Sequence, residues 1–217
     1  MSIESKTRDR LAVEDLPRRR DKEETRGKVV DAARALFARE GFERVTIRMI
    51  AEEAGVATGS VFITFTSKDE LCDEIIIEYL TEVGGRVSNA AAQSAGKPVQ
   101  ARLALIGEAL LADPPERLPF IRETIAASWT RTECAERKVR TAAGQIHEVI
   151  SAVLAEAGSS GELAPKLDRA LAVEMFVCVM FSNLKAVLYE NASQPQIRQR
   201  IAAQIHMMLD GMRAARG

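Results

Sequence analysis

The chain has 217 residues, 47% of them hydrophobic, 28% charged and only 5% aromatic. This is the profile of a globular protein with room for one large domain or two small ones, and the scarcity of aromatics beside abundant Ala and Leu favours helices over sheets. The net charge of -1 hides an asymmetry: residues 1–68 carry 14 Lys and Arg against 12 Asp and Glu, and the rest carry 16 against 19, so the overall balance neither demands nor excludes nucleic acid.

Three widely spaced cysteines, Cys72, Cys134 and Cys178, form no CxxC metal motif and no disulfide framework, and a reducing cytoplasm is the expected location. The N-terminal residues lack the apolar core of a signal peptide. The longest apolar stretch, within 170–181, is interrupted by Glu174 and reads as too short to span a bilayer. No cofactor or metal is expected; His147 and His206 stand far apart with no ligand cluster beside either.

Residues 1–20 are polar, mixed in charge and aperiodic, and read as a flexible basic arm containing "PRRR". Asp21 with Glu24 has the spacing of a capping box. Val29, Val30, Ala33, Leu36 and Phe37 follow at helical spacing, and Gly41 is placed to end that helix. Thr46 suits the N-cap of a second helix striped with Ile47, Ile50, Ala51 and Ala54. Gly55 stops it, and a third short helix fits 57–63. Ser67 and Glu70 form a second capping box, opening a helix to about residue 90.

Further helices are predicted at 99–110, ended by Pro114-Pro115, at 118–130 and at 136–157. Pro165 suits the first turn of the next, which runs to about 190. Ile197, Ile201, Ile205, Met208 and Met212 then repeat at intervals of four and three. No segment reads as a strand. The expected fold is all-α: an arm (1–20), a three-helix helix-turn-helix DNA-binding domain (21–67) and a larger helical bundle for ligand binding and dimerisation (68–217).

The stretch "AEEAGVATGSVFITF", residues 51–65, breaks a helix at a glycine and restarts it almost at once. Two short helices joined by "AGV" are a helix-turn-helix, with Gly55 supplying the left-handed residue of the turn. Val56, Val61 and Phe65 can pack underneath, which leaves Thr58, Gly59, Ser60 and Thr64 facing out. Short uncharged side chains on a compact helix can sit deep in a major groove.

On these residues, positions 22–71 resemble the DNA-binding domain of the TetR family of bacterial transcriptional regulators. The pattern is carried by Ala33, Leu36-Phe37, Gly41-Phe42, Thr46, Ile50-Ala51, Ala54-Gly55-Val56, Gly59-Ser60, Phe62, Phe65 and Lys68-Asp69-Glu70-Leu71. The chain departs from it at Phe62, where the family usually has Tyr, at Ala57, usually Ser, and at Thr64, usually aromatic or His. Thr58 is expected to take over the cap that Ala57 lacks.

The resemblance implies phosphate contacts at Thr46, Ser60, Thr64 and Lys68, base reading by Arg48 and Thr58, close DNA approach at Gly59, and a ring without its phosphate donor at Phe62. Arg18, Arg19 and Arg20 either reach an adjacent groove or form an idle solvated tail. It also implies a homodimer on palindromic double-stranded operator DNA, paired through Phe181, Leu184, Leu188, Ile201, Ile205, Met208 and Met212; packing within one chain is the alternative for the last four. A small hydrophobic effector would bind among Leu103, Leu110, Phe120, Ile125, Trp129, Met175 and Cys178. The expected function is a ligand-responsive repressor with no membrane partner. The alternatives are a DNA-binding dimer without a pocket, and a small helical enzyme.

Overall fold

The structure, a computed structural model, describes residues 3–128, 132–164, 166–190 and 192–212, and for 3–19 and 126–128 the backbone alone. Among the described residues there is no strand. The elements are α1 (Ile3–Glu40), α2 (Ile47–Ala54), α3 (Thr58–Thr64), α4 (Lys68–Gln93), α5 (Val99–Leu110), a 3-10 turn (Pro115–Arg117), α6 (Leu118–Ser128), α7 (Glu133–Ser159), α8 (Arg169–Tyr189) and α9 (Gln194–Met212). They divide into two compact units, Met1–Ile75 and Ile76–Gly217. The division falls inside α4, a little beyond the boundary expected at residue 67.

In the first unit, α1, α2 and α3 pack on one another. The stripe Val29, Val30, Ala33, Leu36 and Phe37 is buried, with Val45, Ile50, Ala51, Val61, Phe65, Leu71 and Ile75 completing the core. Phe37 and Phe42 meet in a tilted ring pair, centroids 5.3 Å apart. Gly41 ends α1 at φ 82°, a conformation that costs glycine nothing. The N-terminal end of α1 differs from expectation. The helix begins at Ile3, so Asp21 and Glu24 lie within it and cap nothing. Residues 3–20 contain no glycine but place Pro17 inside the helix, where proline removes an intrahelical hydrogen bond, so local propensity does not account for the extension.

In the second unit, α5, α7, α8 and α9 surround a continuous apolar core that includes Leu103, Ile106, Ile150, Leu154, Phe176, Met180, Ile201 and Ile205. α5 and α9 approach closely at Gly107, where an added Cβ would lie 2.8 Å from the Met180 sulfur and 3.3 Å from Ile201. α8 begins at Arg169, capped by Asp168, whose carboxylate accepts from the Leu171 N–H at 3.1 Å. Pro165, the expected start, lies outside the described residues. At 21 residues α8 as a whole is long and apolar enough to cross a membrane by length and composition, a test that the core helix of a soluble protein also passes. One of its faces, Ala172, Val173, Phe176, Met180, Asn183 and Ala186, is buried in the unit's own interior.

A polar cluster joins α4 to the segment after α5. Asp113, whose side chain is 1% exposed, accepts from the Tyr79 hydroxyl at 2.7 Å and pairs with Arg86 at 3.1 Å. Glu82 accepts from Arg117 at 2.8 Å, which holds its carboxyl below the usual range, and burial beside Asp113 pushes the Tyr79 phenol well above its own.

Candidate nucleic-acid interface

The turn between α2 and α3 is built by the backbone. Gly55 sits at φ 65°, ψ 33°, and the N–H groups of Gly55 and Val56 donate to the carbonyls of Glu52 and Ala51 at 3.2 and 3.0 Å. These bonds satisfy the last carbonyls of α2 and turn the chain within two residues. Thr46 caps the other end of α2, its hydroxyl accepting from Met49 N–H at 3.2 Å. α3 begins at Thr58 with Ala57 in the cap position and no side-chain cap. Thr58 therefore does not take over the cap: Ala57 already has the extended backbone of an N-cap residue, φ -68°, ψ 140°, and Thr58 is the first helical residue.

Val61 and Phe65 hold α3 against the unit core. Thr58, Gly59, Phe62 and Ile63 are exposed, while Ser60 and Thr64 are half-buried. The Thr64 hydroxyl donates to the Ser60 carbonyl at 3.2 Å, which leaves it an acceptor at most. Ile63, absent from the expected site, is the most exposed large apolar residue of the helix. Its spacing of four from Gly59 was the available signal. Arg48 is exposed on α2 and pairs with Glu52 at 3.0 Å. Arg20 is exposed; the side chains of Arg18 and Arg19 lie outside the described residues.

Lys68 has partners within the unit. Its ammonium donates to the carbonyls of Phe42 and Glu43, at 2.7 and 3.5 Å, and lies 4.2 Å from the centre of the Phe42 ring. It fastens the start of α4 to the connection before α2. Ser67 caps the same point, its Oγ accepting from Glu70 N–H at 3.0 Å, and the Glu70 carboxylate accepts from the N–H of Thr66, one residue before the cap, at 2.7 Å. Arg26 pairs with Glu74 and lies over the Phe65 ring, tying α1 to α4 beneath α3.

In the second unit the expected pocket and interface residues separate by face. Leu103 and Phe120 are buried, and Leu110 and Ile125 half-buried. Met175 and Cys178 stand on the exposed side of α8, so they do not share an enclosure with Leu103. Trp129 lies outside the described residues. Ile201, Ile205, Met208 and Met212 face the chain's own core at 0–7% exposure and offer nothing to a partner. Five large apolar residues repeating at four and three are what a helix needs to pack on α5 and α8. Phe181 is exposed, and Leu184 and Leu188 are half-buried. α8 thus has a second apolar face, Leu171, Met175, Cys178, Phe181 and Tyr189, which the described residues leave exposed; Met207 is exposed on the adjoining α9. An open groove of about 540 Å³ runs between α7 and α8, lined by His147, Ser151, Val173, Val177 and Cys178 among others.

Residues 29–75 match the family model of bacterial regulatory proteins, tetR family. The chain is 24% identical over 186 residues to the HTH-type transcriptional repressor KstR of Mycobacterium tuberculosis, covering 86% of this chain and 81% of the relative. In fold it is similar to a TetR-family regulator from Mesorhizobium loti, with a TM-score of 0.73 at 18% identity over 89% of this chain and 98% of that one. It is also similar to the regulator FadR of Bacillus subtilis, solved in complex with stearoyl-CoA, with a TM-score of 0.67 at 19% identity over 85% and 98%.

Proposed function

We propose that the chain, whose residues 29–75 match the tetR family of bacterial regulatory proteins, is a homodimeric repressor that leaves a palindromic operator when a hydrophobic effector binds. The observation that carries the DNA half of this reading is the outward face of α3. Thr58, Gly59, Phe62 and Ile63 stand free on a seven-residue helix that Gly55 sets across α2. A two-helix unit of this kind places the second helix in the major groove, with base edges read from its exposed side. Arg48 is a further base contact: an exposed pair such as Arg48–Glu52 holds its guanidinium weakly and yields it to guanine O6 and N7. Thr46 and Ser60 offer hydroxyls to phosphates, and Arg20, exposed on α1, adds a positive charge.

The dimer is assigned to the uncovered face of α8, with Phe181 at its centre, and to Met207 on α9. A helix apolar on two faces with only one of them buried calls for a second apolar surface. An isologous pairing supplies that surface and sets two reading heads on a two-fold operator. The effector reading rests on the apolar composition of the second unit and the α7–α8 groove, and FadR, solved with stearoyl-CoA, illustrates that a regulator of this fold takes a ligand with a long acyl chain. The effector need only favour the conformation with the reading heads misplaced; equal affinity for both would release nothing. A second reading, in which the bundle only dimerises, is favoured by the full burial of Leu103 and Ile106 in a continuous core.

The experiment for the DNA half is footprinting of the chain on its own upstream region. A protected two-fold sequence is expected, and binding without sequence preference at every salt concentration would overturn the reading. Titration of the footprinted duplex complex with acyl thioesters and other apolar compounds decides between the effector and scaffold readings. Fluorescence of the single Trp129 reports binding independently of release.

A further inference from the structure

A seven-residue helix is held in place by one buried face. In α3 that face is Val61 and Phe65, exposed to 0% and 2%. The helix nevertheless carries two more large apolar side chains, Phe62 and Ile63, exposed to 55% and 76%. They lie three and four residues after Gly59, so the three share one surface. Side chains on a helix lean toward its N-terminus, which tips both hydrocarbon groups toward the glycine. A Cβ at Gly59 would meet nothing within 4 Å. No packing among the described residues therefore asks for glycine there, and the space a side chain would fill is open. α3 contains no charged residue at all.

Resting on the reading of α3 as the helix that enters the major groove, we propose that Gly59, Phe62 and Ile63 recognise the 5-methyl group of thymine. Base edges in the major groove present acceptors, amino donors and a single apolar feature, the thymine methyl. Isoleucine and phenylalanine have no donor or acceptor with which to read the first two. Pressed against guanine O6 and N7 they would strip water from those acceptors and replace none of its hydrogen bonds. Against thymine they remove apolar surface from water on both sides, and the open space at Gly59 lets the base edge come close beside them. Ile63, the more exposed of the two, makes the main contact. The half-site beneath α3 therefore carries thymine at one or two positions, in addition to whatever Arg48 reads from α2.

The test uses the full-length chain and a duplex selected by it from a random-sequence pool. Each thymine of the selected site is replaced in turn by deoxyuridine, which lacks only the methyl. Affinity falls roughly three- to fivefold at one or two positions in each half-site, the effect of removing one buried carbon, and is unchanged elsewhere. Ile63→Ala, which removes an exposed side chain and leaves helical content and melting temperature intact, binds thymine and uracil duplexes equally at those positions. Uniform affinity across all uracil duplexes overturns the inference, as does an Ile63→Ala chain that keeps the full sensitivity. So does an Ile63→Ala chain whose only change is in sedimentation, which would make the surface a protein contact. Selection of no preferred sequence at all removes the premise of DNA reading instead, and the two failures are thereby distinguished.

Discussion

α9 and α3 both carry apolar side chains at helical spacing, yet they use them in opposite ways. The stripe of α9 is consumed by its own unit: Ile201, Ile205, Met208 and Met212 are buried among residues of α5, α7 and α8. In α3 the packing is complete with Val61 and Phe65, and Phe62 and Ile63 are left over on the surface. Periodicity identifies which residues share a face. It does not identify what covers that face. The informative quantity is apolar surface in excess of what the helix needs to be held, and by that measure α3 and the outer side of α8 point to other molecules while α9 does not.

The largest expected effect tests this contrast within the second unit. Ile205→Glu places a carboxylate in a site of 0% exposure and should cost on the order of 4 kcal/mol or more, enough to unfold a domain of ordinary stability. Phe181→Glu, on the uncovered face of α8, should leave the melt nearly unchanged and yield folded monomers in sedimentation. A folded, monomeric Ile205→Glu chain would return α9 to the interface and break the comparison.

Lys68→Ala comes next. The ammonium is held by two carbonyls and a ring. Its removal should cost roughly 1.5–3 kcal/mol, the range for a hydrogen bond to a charged group, read as a lower denaturation midpoint without DNA. If Lys68 instead serves only phosphates, the midpoint stays put and the salt dependence of operator binding flattens by about one unit.

Much of the first unit was legible because its signals are local. Gly41 and Gly55 adopt the positive φ that their positions imply, Thr46 caps α2, and Ser67 with Glu70 caps α4. Each of these is decided within a few residues by backbone chemistry. The site was less legible where a side chain had a choice of partners. Nothing in the spacing of Lys68 tells that its ammonium folds back onto Phe42, 26 residues earlier. Ile63 stands between Phe62 and Thr64, and its spacing from Gly59 tells which face it shares, not that its side chain is left uncovered. In the second unit, the four-and-three stripe of α9 fits an own-chain core and a partner equally well, and only the buried area of the folded chain separates them. Met175 and Cys178 illustrate the same limit on α8: an apolar helix reveals its composition, while the rotation that sends one side inward is set by α5, α7 and α9.

Phe62→Tyr sharpens the α3 side of the comparison. If the exposed ring lies along the DNA backbone, the added hydroxyl should tighten operator binding by about 1 kcal/mol, one net hydrogen bond, as measured by titration of the footprinted duplex. If the ring presses on a thymine methyl, the hydroxyl gains no partner and binding weakens.

The smallest effect is expected at the start of α3. Ala57 has the cap conformation and offers no side-chain acceptor, so the first N–H groups of a helix only seven residues long lack the usual oxygen. Ala57→Ser should supply it, with Oγ reaching the N–H of Gly59, since the Ser60 N–H already donates to the Ala57 carbonyl at 2.9 Å. In a helix this short and exposed the gain should be near the lower end for N-caps, about 0.5 kcal/mol. Amide exchange across α3 measures it directly, since local opening of the helix is slowed about twofold by that amount while α9 exchanges as before. The same variant separates order from contact at the DNA surface. If binding requires only that α3 be formed, operator affinity should rise by no more than the gain in helix stability. A fall in affinity would mean that the uncapped N–H groups themselves meet phosphates, and that serine competes with the DNA for them.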